Sequence, residues 1–176
     1  MEKDGGPVIG IQIENEYGHV GGLQGPEGEA HIRTLTAMAK EIGFDVPLYT
    51  ATGWGGACIG DLLPVMGGYC EAPWDQRTCE IEPNANFVFS HTRNDALIAC
   101  DHHVENANSY NEEDFPFLTA ELGGGLQVTM HRRPVAKGCD VGAMSTVKMG
   151  SGAGLLGYYM YHGGSNPKGK LSTLQE

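Results

Sequence analysis

Two glutamates stand where the chain could do acid–base chemistry. Glu16 lies in the segment Ile-Glu-Asn-Glu-Tyr-Gly, and Glu121 lies in Phe-Leu-Thr-Ala-Glu-Leu-Gly-Gly-Gly. Each follows a short apolar run and precedes a glycine-containing loop, so we expect both at the point where a buried strand meets solvent. That position raises a carboxyl pKa or orients a nucleophile. The pair predicts acid–base and nucleophilic work on one substrate, although either acid alone could also be a helix N-cap or a surface charge.

Composition narrows the function classes. The 176 residues carry a net charge of −11 with only 11 lysines and arginines, which argues against a nucleic-acid surface and is compatible with an uncharged substrate. The apolar stretches are much shorter than the roughly 18 residues that a membrane span needs, so we expect no membrane association. The 27 glycines cluster at predicted strand ends, which favours loops that lie close to a ligand.

The cysteines and histidines do not suggest a metal. The five cysteines form no Cys-x-x-Cys pair and leave one unpaired in any full disulfide scheme, which favours a reducing, cytoplasmic compartment. Neither they nor the seven histidines have the spacing of metal ligands. We therefore expect neither a metal nor an organic cofactor.

The sequence around the two acids predicts strands that alternate with helices. Residues 7 to 16 alternate, with Ile9, Ile11 and Ile13 on one face and Glu14 and Glu16 on the other. Helical spacing follows over residues 29 to 42 and stops at a glycine. Further strands are predicted at 46 to 50, 63 to 69, 117 to 121 and 155 to 162, helices at 87 to 102 and 139 to 151, and a long loop at 71 to 86.

Strands that alternate with helices imply a parallel sheet. In a parallel α/β barrel the reactive groups gather at the carboxyl ends of the strands, and Glu16, Thr50, Tyr69, Glu121 and His162 all fall at predicted ends. The sequence therefore predicts an α/β fold that is a partial TIM (β/α)8 barrel of about five β/α units. We expect residues 1–166 to form this domain and residues 167–176 to form a tail or a truncated continuation.

Three motifs carry a family resemblance. The segments Gly-Gly-Pro-Val-Ile (5 to 9) and Gln-Ile-Glu-Asn-Glu-Tyr-Gly (12 to 18) resemble the strand that bears the acid/base glutamate in glycoside hydrolase family 35, the β-galactosidases. Thr-Ala-Glu (119 to 121), with its glycines and His-Arg-Arg-Pro (131 to 134), is similar to the nucleophile strand of bacterial members. Tyr-Met-Tyr-His-Gly-Gly-Ser-Asn (159 to 166) resembles the last strand, with Ser165 where threonine is usual.

The resemblance implies a retaining exo-β-galactosidase on a TIM barrel, acting on terminal non-reducing β-D-galactosyl residues. On this reading the chain runs from the fourth strand to the eighth. The first three strands and the C-terminal β-rich domains would then be missing, and the 176 residues alone would be inactive. Retaining glycosidases use one carboxyl as proton donor and another as nucleophile, about 5–5.5 Å apart. We assign Glu16 as the acid/base and Glu121 as the nucleophile.

Other residues are expected around a bound sugar. Asn15 is placed to hydrogen-bond the sugar 2-hydroxyl. Trp54 and Trp74 each follow a strand and could provide the apolar platform on which a sugar stacks, or could simply pack. Tyr159 and Tyr161 share one face of the last strand, and the face of Tyr159 resembles the substrate-contacting tyrosine of the family.

Two charged features remain open from sequence. Glu14 is expected deeper on the face of Glu16, paired with an arginine because a buried unpaired charge is costly. The segment 131 to 133 (His-Arg-Arg) is either a solvated loop or the source of an arginine that keeps Glu121 ionised.

The alternatives to a β-galactosidase are another retaining exo-β-glycosidase of the same barrel clan, such as a β-glucosaminidase, and a catalytically silent carbohydrate-binding fragment.

Overall fold

A parallel sheet of five strands forms the centre of the fold. The computed structural model describes residues 5–19, 21–53, 56–70, 85–91, 93, 109–123, 137–159 and 168–170. The strands are β1 (Ile11–Asn15), β2 (Leu48–Gly53), β3 (Leu63–Tyr69), β4 (Leu118–Gly123) and β5 (Leu155–Tyr158), and they pair in chain order, all parallel. The predicted α/β class and parallel sheet are confirmed. Consecutive strands are neighbours, as they are in the wall of a (β/α)8 barrel.

The first helix, α1 (Gly25–Glu41), packs one face onto the start of the sheet. Pro26 near its first position and Glu27 in its first turn suit a helix start, because proline presets the backbone and a negative charge faces the positive end of the helix. Ile32 and Ala39 are buried with Leu48 of β2. The chain leaves the helix through Gly43, whose φ of 95° is costly for other residues. The helix begins four residues before the predicted start at residue 29.

The second helix, α2 (Gly138–Gly150), covers the other end of the sheet. Its Met144 is fully buried against Leu122 of β4 and Cys70, which follows β3. Because successive side chains of a strand point to opposite faces, the contact of Leu122 with α2 leaves Glu121 on the face turned away from that helix. The packing of α2 thus decides which side of the sheet receives the acid.

Two element predictions need correction. The helix predicted over residues 87 to 102 is wrong where the chain is described: a 3₁₀ turn spans Ala85–Phe87, and residues 88 to 91 and 93 are not helical. Its apolar residues are not a buried helix face, since Val88 and Phe89 are largely exposed. Thr50 is not at a strand end but within β2, fully buried. Residues 71 to 84 and 160 to 162 lie outside the described residues.

The simple alternation predicted for residues 7 to 16 is also wrong. Ile11 and Ile13 pack on the first core cluster, but Ile9 lies before the strand and is 78% exposed. The pairing of β1 with β2 shifts register between Gln12 and Asn15, and the backbone of Glu14 and Glu16 has φ of 60° and 53°. This irregularity breaks the period of two, so Glu14 and Glu16 do not share a face.

Among the described residues, neither helix combines the length with the apolar character that a membrane span requires.

Candidate active site

Glu16 follows β1 directly and points over the end of β2. Its backbone N–H donates to the carbonyl of Ala51 at 2.9 Å, and its carbonyl accepts from the N–H of His19 at 2.9 Å. The side chain lies against Gly53, where an added Cβ would sit 3.0 Å from the carboxyl carbon of Glu16. Gly53 has a φ of 61°, so both the backbone and the space favour glycine there. The last residue of β2 thus makes room for the carboxyl.

Glu121 lies in β4, opposite Gly67 of β3. The hydroxyl of Tyr69, the last residue of β3, donates a hydrogen bond to its Oε1 atom. The carboxyl of Glu121 is therefore held at the carboxyl end of the neighbouring strand, on the side of the sheet that α2 does not cover. Asn86 fixes this strand end in turn, because its buried side-chain amide donates to the carbonyl of Tyr69 at 3.0 Å.

The charge of Glu121 acts on Glu16, so the two acids lie within electrostatic reach of each other. Burial and the negative charge of Glu121 raise the pKa of Glu16 from 4.5 to about 7. Burial also raises the pKa of Glu121, but the hydrogen bond from Tyr69 works in the opposite direction. Burial, the bond to Glu121 and the charges of Glu121, Glu16 and Tyr159 together raise the pKa of the Tyr69 hydroxyl. Tyr69 is thus bonded to one acid and lies within electrostatic reach of the other.

The two carboxyls differ in their hydrogen bonds. Glu121 accepts a hydrogen bond that favours its ionised form, whereas no described residue donates a hydrogen bond to the carboxyl of Glu16. Near neutral pH Glu16 is thus able to hold a proton, and the hydrogen bond from Tyr69 favours the charged form of Glu121. Two titratable groups whose surroundings separate their pKa values can divide acid and nucleophile roles between them.

Glu14 departs from its sequence-based interpretation. Instead of lying behind Glu16, it turns toward α1, where its Oε1 is 3.0 Å from Nε2 of His31, and none of the described arginines pairs with it. The register shift in β1 explains the change, because it rotates Glu14 out of the face that Glu16 uses. The segment 131 to 133 lies outside the described residues, and the hydrogen-bond donor found at Glu121 is a tyrosine.

The expected sugar-contacting residues divide into two groups. Asn15 sits at the end of β1, exposed, with its side-chain oxygen accepting from Nε2 of Gln12 at 3.1 Å. Tyr159 follows β5, is 49% exposed, and donates its N–H to the carbonyl of Leu122 at 2.9 Å. The structure therefore brings Asn15 and Tyr159 to the same sheet edge as the acids. Trp54, Trp74 and Tyr161 lie outside the described residues.

Sequence reasoning did not find the partner roles of Tyr69 and Gly53. Tyr69 was recognisable as a strand-end residue, but its bond to a carboxyl 52 residues away leaves no local signal. The described residues contain no group of three or more histidine, cysteine or acidic side chains placed to hold a metal ion.

Two half-buried carboxyls in unequal surroundings, at the carboxyl edge of a parallel sheet, are typical of the active sites of glycoside hydrolases. Comparison with known proteins agrees. The family model described as Glycosyl hydrolases family 35 matches residues 1–170. The chain belongs to this family, and the resemblance found in the three motifs is confirmed.

One curated relative gives a more particular likeness. Beta-galactosidase 17 of Arabidopsis thaliana is 45% identical over 54 residues, which are 30% of this chain and 7% of that protein. The aligned segment is thus a small part of the relative's length. No solved structure matches the chain significantly.

Proposed function

We propose that the protein containing this chain is a retaining exo-β-galactosidase, with Glu16 as acid/base and Glu121 as nucleophile. The observation that carries the proposal is the unequal environment of the two acids: Glu16 has a pKa raised to about 7 and no described donor, while Glu121 accepts the Tyr69 hydroxyl. Membership of family 35 supports glycoside hydrolysis, and the name of the Arabidopsis relative supports galactose as the sugar.

In the first step, a carboxylate oxygen of Glu121 attacks the anomeric carbon and the bond from that carbon to the glycosidic oxygen breaks. Glu16 gives its proton to the departing oxygen, so the leaving group departs as a neutral alcohol. The galactosyl group is then an ester of Glu121. General acid assistance of this kind contributes roughly 10²–10⁴-fold.

In the second step, a water oxygen attacks the anomeric carbon and the ester bond to Glu121 breaks. Glu16, now ionised, takes a proton from this water. The esterified Glu121 carries no charge, so the electrostatic contribution that raised the pKa of Glu16 is gone. Glu16 is therefore a stronger acid at the moment when it must be ionised to act as base, and the cycle restores its proton.

The neighbouring residues have supporting roles in this proposal. The hydrogen bond from the Tyr69 hydroxyl opposes the rise in the Glu121 pKa that burial causes, and so favours the ionised form that attacks. Asn15 meets the sugar 2-hydroxyl, and its amide group has N–H donors that the bond to Gln12 does not use. Tyr159 contacts the sugar from the other side of the pocket, and Tyr161, Trp54 and Trp74 complete the contacts. We also propose that the five strands form part of a (β/α)8 barrel.

A mechanism-based label tests the assignment in the intact protein. A 2-deoxy-2-fluoro-β-galactoside with a dinitrophenyl leaving group should form a stable ester, and peptide mapping by mass spectrometry should place it on Glu121. The Glu121→Gln variant should take up no label, whereas Glu16→Gln should still be labelled because this leaving group needs no proton. Labelling of another residue, or equal labelling of the Glu121 variant and the parent, would contradict the proposed nucleophile.

The sugar is tested separately with a panel of nitrophenyl glycosides. The proposal predicts that the β-galactoside has the highest kcat/KM. A preference for a β-glucosaminide would contradict galactose and favour the related exo-glycosidase. Absence of turnover on the whole panel would favour a carbohydrate-binding protein without catalysis.

A further inference from the structure

His31 contacts the chain on both sides of the dipeptide Asn15-Glu16. Its Nε2 lies 3.0 Å from the carboxyl of Glu14, and its ring stacks on the ring of Tyr17 with centroids 4.2 Å apart. We propose that His31 is a positioning residue for the acid/base Glu16, acting through Glu14 and Tyr17. The role rests on the proposed function of Glu16, but the contacts that carry it do not.

The backbone at this point needs such support. Glu14 and Glu16 have φ of 60° and 53°, which lies in the left-handed region of the backbone. Residues other than glycine adopt this region only when surrounding contacts impose it. A regular strand would place both carboxyls on one face. Because the left-handed turns send Glu14 toward α1 and Glu16 toward Gly53, the aim of Glu16 depends on the contacts that hold this conformation.

On the N-terminal side, Glu14 is held from two directions. Its carboxyl meets His31, and its carbonyl accepts from Nε2 of Gln12 at 2.9 Å. His31 sits beside Ile32, which is fully buried in the core between α1 and the sheet. The contact between Glu14 and His31 therefore links residues 14 to 16, two of which have a left-handed backbone, to helix α1, which is packed on the sheet.

On the C-terminal side, Tyr17 is enclosed. One contact of its ring is His31, and another is the backbone of Gly22, where an added Cβ would be 2.4 Å from the tyrosine ring. Its carbonyl accepts from the N–H of Cys58 at 2.8 Å. The stacked rings fix the position of Tyr17, which follows Glu16. Glu16 therefore lies between Glu14 and Tyr17, and His31 contacts the side chains of both.

The test separates the hydrogen bond from the ring. His31→Phe keeps an aromatic ring for Tyr17 and removes the nitrogen that Glu14 meets, whereas His31→Gln keeps a nitrogen donor and removes the ring. In the intact enzyme, we expect His31→Phe to lower kcat/KM roughly 10–100-fold on an alkyl glycoside, which needs a well-placed proton donor, and less than about threefold on a dinitrophenyl glycoside. His31→Gln should recover most of the alkyl glycoside activity.

A double-mutant cycle shows whether the effect passes through Glu14. Glu14→Ala should have the same selective loss, and adding His31→Phe to it should lower the rate by less than about threefold more. Thr34→Ala is the matched control, because Thr34 lies on the exposed side of α1, and its hydroxyl donates to the carbonyl of Ala30 within that helix and to no other described residue. It should leave both substrates at parent rates.

The outcomes distinguish this proposal from the proposed function. The assays use whichever sugar of the glycoside panel the parent cleaves best, so a sugar other than galactose would contradict only the proposed function. Equal loss on both leaving groups, or independent effects of the two variants, would overturn the positioning role. A crystal structure of the His31→Phe protein supplies a readout without activity: we expect Glu14 or Glu16 to leave the left-handed region, and an unchanged backbone at both would overturn the proposal.

Discussion

The two acids are presented by very different pieces of backbone. Glu121 lies within β4, outside the left-handed region, and a hydrogen bond from the adjacent strand holds its carboxyl, although the pairing of β4 also shifts register next to it. Glu16 lies just past β1, in a left-handed conformation, after a register shift. Each arrangement suits a proposed task. The residue that must be charged has a donor, and the residue that must carry a proton lies against a glycine, with no donor among the described residues.

The difference shows that two acids with similar flanking residues can have their pKa values set by different contacts. Both acids close an apolar run before glycines, yet the pKa of Glu16 is set by burial and a neighbouring charge, while that of Glu121 is set by burial opposed by a hydrogen bond. Changes that remove one of these contributions should affect the two acids unequally.

The largest expected effect comes from removing the proposed proton donor, Glu16. Glu16→Gln should lower kcat/KM about 10²–10⁴-fold on alkyl β-galactosides and leave the first step on dinitrophenyl β-galactoside close to the parent rate. Pre-steady-state release of dinitrophenol measures this first step. A uniform loss on both substrates would mean that Glu16 does not donate the proton.

Removing the donor at Glu121 should have the next largest effect. Tyr69→Phe keeps the ring and deletes the hydroxyl, which should lower kcat roughly 10-fold, the size of a lost hydrogen bond to a charged group. Because this bond lowers the pKa of Glu121, its loss should move the acidic limb of the kcat/KM–pH profile to higher pH. An acidic limb that stays in place would contradict the role given to Tyr69.

A glycine pair isolates the space beside Glu16. Gly53→Ala and Gly25→Ala both place alanine at a similar backbone angle, φ of 61° and 58°, but only the new Cβ at residue 53 meets Glu16, since nothing lies within 4 Å at Gly25. Each should cost about 1 kcal/mol of stability or more. Only Gly53→Ala should also lower kcat/KM, roughly tenfold. Equal activity of the two variants would show that Gly53 does not shape the site.

The smallest effect concerns stability against pH. The folded state raises the pKa of Glu16 from 4.5 to about 7, so it binds this proton more tightly than the unfolded chain does. The associated stability is fully present below pH 4.5 and falls as pH rises toward 7. Urea denaturation at pH 5 and pH 8 should show a smaller decrease for Glu16→Gln than for the parent. An identical decrease would argue against the raised pKa.

Much of the fold could be predicted from sequence because its signals are local. The alternation of strands with helices gave the parallel sheet, and the predicted bounds of β3 agree with the structure. The helix expected from residue 87 was wrong, since apolar spacing alone does not decide whether a face is buried. The positions of both glutamates at the sheet edge also followed from local pattern.

The contacts between elements could not be predicted in the same way. The bond from Tyr69 to Glu121 joins residues from different strands, and the turn of Glu14 toward His31 depends on a break in strand register. Periodicity assumes a regular backbone, and it assigned Glu14 and Glu16 to one face for that reason. The different surroundings of Glu16 and Glu121 therefore could not be predicted without the register in which the strands pair.

The central claim is that Glu16 and Glu121 face one pocket and influence each other's protonation. NMR titration of ¹³C-labelled glutamate carboxyls in the intact protein tests it most directly, with the signal of Glu16 assigned by its loss in Glu16→Gln. We predict a pKa of about 7 for Glu16 in the parent and a lower pKa in Glu121→Gln, where the neighbouring charge is absent. A pKa near the usual 4.5, or one that does not change in Glu121→Gln, would contradict the account.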